Sequence, residues 1–157
     1  MATANAATSF LENRLLSFIF KNNAASFSSP GDNIFVGLAT AVSNFGDTTG
    51  ESGAPSITEA TFSNYARQQV AASGWTLTTD TADTQTCTTA ADLSFPASGG
   101  TNNTITHVFI ATHVSDSLDV LGSGGNVLFI GKLDADKAIA SGDIFRINAG
   151  NLTIELK

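Results

Sequence analysis

The sequence predicts a mainly β protein: an antiparallel β-sandwich or jelly-roll-like domain with one N-terminal α-helix. Three observations predict it. Apolar residues near the N-terminus recur with a helical period, and after Pro30-Gly31 the period changes to two. From there, short apolar runs alternate with turns rich in Gly, Asn, Ser and Asp. Only 13% of the chain is charged against 42% hydrophobic, where ordinary domains carry about 25% charge. A low-charge chain rich in Thr, Ser, Ala, Asn and Gly suits packed sheets and surfaces that meet other subunits.

Residues 1–8 read as a flexible arm, small and polar, that orders on contact with a neighbour. Residues 9–157 read as one domain, long enough to bury roughly 70% of its unfolded-chain surface. Its first element is a helix over 9–22. Ser9 and Glu12 have capping-box spacing, and Leu11, Leu15, Phe18 and Ile19 fall on one face. Phe10, Leu16 and Phe20 widen that stripe, so the face packs on its own domain or on another subunit. Next, "NIFVGLAT" alternates Ile34, Val36 and Leu38 against Phe35 and Gly37 as a strand. Residues 43–58 read as a long surface loop. "NYARQQV" reads as a strand with Tyr65, Arg67 and Gln69 on one face, and "GWTLTT" follows it.

Residues 76–90 are Thr-rich, an edge element or an extended loop. "DLSFP" is a short strand. "TITHVFIAT" is apolar on both faces and therefore central and covered on both sides. "VLFIGKL" is another strand, "DADKAIASGD" a connection to "IFRIN", and "LTIELK" a last strand with Leu152, Ile154 and Leu156 inward.

The chemistry the chain can carry is narrow. Its seven Lys and Arg are scattered among fourteen acids, giving a net charge of −7. No basic stripe is available for nucleic acid or for an anionic membrane. Cys87 is the only cysteine, which excludes an intramolecular disulfide and a structural zinc site. The N-terminus lacks a charged region leading into an apolar one, so synthesis in a cytoplasm is expected. His107 and His113 are separated by about 20 Å if one strand runs through both. No G-x-S-x-G elbow is present. Asp134 with Asp136 and Asp116 with Asp119 lack the spacing of a calcium loop and read as turn residues. No cofactor is implied, and catalysis is not expected.

Two readings remain for the polar and aromatic residues. Trp75 and Tyr65 could form an open platform for a sugar ring, making the chain a receptor- or carbohydrate-binding module. Arg67, one of few cations and flanked by Tyr65 and Gln69, reads instead as a partly buried structural pin. Its partner is a carboxylate such as Glu59, or one on a neighbouring subunit.

The succession "FLENRLLSFIF", "IFVGLAT", "NYARQQV", "ITHVFIAT", "GGNVLFIGKL" and "IASGDIFRINAGNLTIEL" resembles a family of small tailed-bacteriophage virion structural proteins. These are labelled tail fibre, minor structural or head decoration proteins. The resemblance runs from about Phe10 to the C-terminus and rests on the order of the six stretches. It implies a non-enzymatic virion protein, made in the host bacterial cytoplasm and docking in many copies. The chain shows no repeats, heptads or shaft. Decoration (cement) of the capsid surface is therefore the preferred expectation, with a tail-attached fibre or receptor-binding module as the alternative. The implied partners are other copies of the chain, a trimer being favoured, and the major capsid protein or tail proteins.

Overall fold

The structure, a computed structural model, describes residues 6–7, 11, 15–16, 19–20, 34–43, 56–79, 85–113 and 127–156. Eleven strands are defined among them: β1 (Ala6–Ala7), β2 (Phe35–Ser43), β3 (Ser56–Glu59), β4 (Gln68–Gln69), β5 (Trp75–Thr79), β6 (Gln85–Thr89), β7 (Leu93–Ser94), β8 (Asn103–Ala111), β9 (Val127–Ile139), β10 (Arg146–Ile147) and β11 (Thr153–Leu156). The main sheet has the order β1-β9-β8-β2-β3, and β4 also pairs with β2. Two smaller sheets accompany it, β11-β6-β5 and β10-β7. Every pairing is antiparallel. The protein is thus mainly β, as its period-two stretches dictate.

The doubly apolar stretch forms β8, which lies between β9 and β2. Val108, Phe109, Ile110 and Ala111 are all buried. Alternation sends the β2 residues Val36 and Leu38 to one face, where they meet Phe62, Phe95, Ile105 and Phe145 in a first core. Ala39 faces the other way, into a second core with Phe109, Val127 and Ile130. A register shift between Ile105 and His107 lets Ile105 and Val108 share a face despite opposite parity. Each large side chain fully buried in these cores contributes about 1.5–3 kcal/mol. The small sheets reach the first core through Trp75, Leu93, Ile147 and Leu152.

Four expectations are corrected or limited. The "NYARQQV" strand shrinks to β4, because Ser63–Asn64 make a turn, with Asn64 at φ 71°, and only Gln68 and Gln69 reach the edge of β2. The connection read in "DADKAI" is strand instead. β9 continues to Ile139, which is buried in the first core, but is exposed on both faces from Asp134 to Ala138, so no apolar period marks that stretch. Ala6–Ala7, within the expected arm, pair with Ile130 and Phe129 of β9.

The α-helix expected over 9–22 is not an element of the described fold. Only Leu11, Leu15, Leu16, Ile19 and Phe20 are described there, with helical backbone, and Leu15 and Ile19 of its expected buried face are exposed. Phe18 lies outside the described residues, as do 44–55 of the expected long loop and the pair Asp116 and Asp119. A helix of this length is marginal in water by itself and needs a packed face to persist.

Candidate functional site

β3 and β4 both lie along the same edge of β2: Glu59 pairs with Ala39 and Gln68 with Val36. Between them the chain leaves the sheet over residues 60–67. This excursion carries Phe62 into the first core and is fastened at its tip. Asn103 Oδ1, at the start of β8, accepts from the amides of Thr61 (2.7 Å) and Phe62 (2.9 Å). The Gly99 amide donates to the Ser63 carbonyl (2.9 Å).

The excursion leaves the Leu38 amide on β2 without a strand partner on that side. Tyr65 fills the gap: the Leu38 amide donates to its hydroxyl oxygen (2.9 Å), and the hydroxyl donates onward to Glu59 Oε1 (2.8 Å). Arg67 completes the set. Its Nε donates to Glu59 Oε1 and its Nη2 to Oε2, both at 2.8 Å, the parallel fork that suits a guanidinium to a carboxylate. Its Nη1 donates to the His113 carbonyl just beyond β8 (2.7 Å). The guanidinium carbon lies 5.4 Å from the centre of the Phe109 ring, a cation–π distance. The Arg67 side chain is only 3% exposed and that of Glu59 26%.

Electrostatics keep the phenol protonated. Burial holds the Tyr65 hydroxyl well above its ordinary range, opposed by the Leu38 amide and the Arg67 cation and reinforced by Glu59. It therefore stays a donor to the carboxylate. The ring stacks on Phe95 (6.2 Å between centroids) and meets Phe62 edge-on at 5.2 Å, which fixes the hydroxyl in the gap.

Of the residues singled out by sequence, Glu59, Tyr65 and Arg67 come together in this lock. Gln69 sits on β4 beside Phe35 and points out. Trp75, half-buried, packs against the first core from the small sheet, as Tyr65 does from the excursion. Leu15 and Ile19, from the expected helix, are exposed. Sequence reasoning missed Asn103, Phe109 and the backbone groups of Leu38 and His113. The backbone groups have no side-chain signature, and only the Asn pair before "TITHVFIAT" hinted at a tethering residue.

Both oxygens of Glu59 are engaged, and Arg67 donates to both of them and to the His113 carbonyl. A hollow of about 230 Å³ lies beside the Asn103 tether, lined by Asn102, Asn103, Thr104, Ala138, Ile139, Ala140 and Asp143. The Asp143 carboxylate there accepts from the Ala140 amide (2.9 Å). His107, lowered from its ordinary pKa by burial and by Lys132, shares a hydrogen bond with Thr106 Oγ1. Among the described residues no three His, Cys, Asp or Glu side chains are grouped to hold a metal ion.

A family model described as Podophage GP4 fiber I protein gp80 matches residues 6–155. No curated protein matches the chain.

Proposed function

The chain belongs to the podophage GP4 fiber I protein gp80 family, a family of phage virion structural proteins, and from that premise we propose that it is a non-enzymatic module of a tail fibre. The observation that carries this reading is the lock of Glu59, Tyr65 and Arg67. These three side chains join β2, β3, the excursion and the end of β8. A module of this kind works by being rigid and by presenting surface. We read the two small sheets as the second layer of a β-sandwich over the first core.

Decoration of the capsid surface, the preferred expectation from sequence, is the second reading. The low charge of the chain suits a subunit contact in either place. The word "fiber" in the family's description favours the fibre. In this reading the chain's partners are further copies of itself and tail proteins, and its place is the virion.

Mass spectrometry of purified virions tests the proposal. The chain is expected at a fixed ratio to the tail proteins, in intact virions and in isolated tails. Its absence from both would remove the virion role, and its presence on tail-less heads alone would move it to the capsid.

A further inference from the structure

The two halves of β9 differ in what protects their outer edge, the side turned away from β8. In the second half Lys132, Asp134, Asp136 and Lys137 are all exposed. Charges of this kind keep an open edge from pairing with another strand. The first half, "VLFIG" from Val127 to Gly131, carries neither charge nor proline. Val127 and Ile130 are buried in the second core, so these two positions cannot take a charge. A run of uncharged, strongly β-forming residues on a sheet edge is the composition that templates strand pairing between chains.

β1 lies on that uncharged half. Ala6 pairs with Ile130 and Ala7 with Phe129, and among the described residues no other strand pairs with β9 on that side. β1 is two alanines long. What it brings to β9 is its main-chain groups, since alanine has little side chain to pack on a sheet. Two residue pairs are a short ladder beside the one β8 makes on the other side of β9, which runs from Asn103–Ile139 to Ala111–Val127. β1 can therefore open locally while the sheet beneath it stays folded.

We propose that β1 is an intramolecular strap that guards the uncharged half of the β9 edge. Closed, it occupies the outer main-chain groups of the Phe129–Ile130 stretch. Open, it leaves them to any strand nearby. Strap and charges divide the edge between them: the strap covers Phe129 and Ile130, and the charges begin at Lys132. The device belongs to the single chain. It holds whatever the oligomeric state and wherever the protein sits, so its failure and the failure of the virion role are read separately.

The experiment compares the purified full chain with the double variant Ala6→Pro, Ala7→Pro, which has no amide to give to β9. The double variant Ala6→Ser, Ala7→Ser keeps both amides and is the control. Near-ultraviolet circular dichroism of the single Trp75 verifies folding of each. Hydrogen exchange at Phe129 and Ile130 and light scattering over time are then read together. In the proline variant, the amide of this pair that faces β1 is expected to exchange about tenfold faster or more. Its scattering is expected to grow, because in a pure solution the open edge meets only other copies, while the wild type and the serine variant hold steady. Adding Leu128→Lys to the proline variant places a charge on the bare edge and is expected to stop the growth while exchange stays fast. Unchanged exchange, scattering no greater than in the wild type, growth that Leu128→Lys does not suppress, or a proline variant that fails to fold overturns the proposal.

Discussion

Glu59 and Arg67 stand at the two ends of the excursion 60–67 and join them through a pair of hydrogen bonds, each 2.8 Å long. The chain can therefore leave the edge of β2 and return to it without opening the sheet. The pair also gives Tyr65 a carboxylate to donate to while its own oxygen receives the Leu38 amide. Three side chains thus do the work of the missing strand residues between β3 and β4.

Arg67→Ala is expected to cost about 3 kcal/mol, because it leaves a mostly buried carboxylate without its cation. Arg67→Lys should recover only part of this, since an ammonium cannot fork onto both oxygens and also reach His113. The double variant Glu59→Leu, Arg67→Met should be less destabilised than Arg67→Ala. Urea unfolding of the three variants checks the order.

Tyr65→Phe keeps the ring stack on Phe95 but orphans the Leu38 amide. The expected loss is about 1–3 kcal/mol in the same measurement. Tyr65 is the chain's only tyrosine, so its titration can be followed directly by tyrosinate absorbance.

The raised proton affinity of Tyr65 gives a signed pH dependence. Above about pH 10 the unfolded chain loses the phenol proton while the folded one retains it. The folded state then binds more protons, so stability falls as pH rises, by up to about 1.4 kcal/mol per pH unit. The contribution is fully present below about pH 10. Stability measured against pH should show this alkaline loss in the wild type and lack it in Tyr65→Phe.

Gly37 is required by the Phe109 ring that lies across it. A Cβ there would stand 2.1 Å from the ring's Cζ atom, and Phe109 is fully buried with nowhere to move. Gly37→Ala is expected to cost about 3 kcal/mol by overpacking. Adding Phe109→Leu should return part of that, and thermal unfolding of the single and double variants checks it.

Asn103→Ala should release the tip of the excursion. Two backbone amides, of Thr61 and Phe62, lose their shared acceptor, and a loss of about 1–3 kcal/mol follows. Hydrogen exchange should show faster exchange at Thr61 and Phe62 than at Leu38.

The sequence made the strands of the core legible because their apolar residues obey the period of two. Val36 with Leu38, and the run from Val108 to Ala111, are placed as their spacing requires. Arg67 was legible because cations are scarce and its neighbours are aromatic and polar, and Glu59 because it lay within reach. What was not legible follows from physics as well. The excursion is held by the Asn103 side chain and by main-chain groups, none of which leaves a periodic trace. The outer half of β9 is exposed on both faces, so its residues look like a loop. Leu11, Leu15 and Ile19 spell an amphipathic helix, but a face signals burial without naming what buries it.

Gold-antibody labelling of intact virions under the electron microscope tests the central claim most directly. The account predicts label confined to the tail fibres. Label spread over the head, or none on intact and disrupted virions alike, would contradict it.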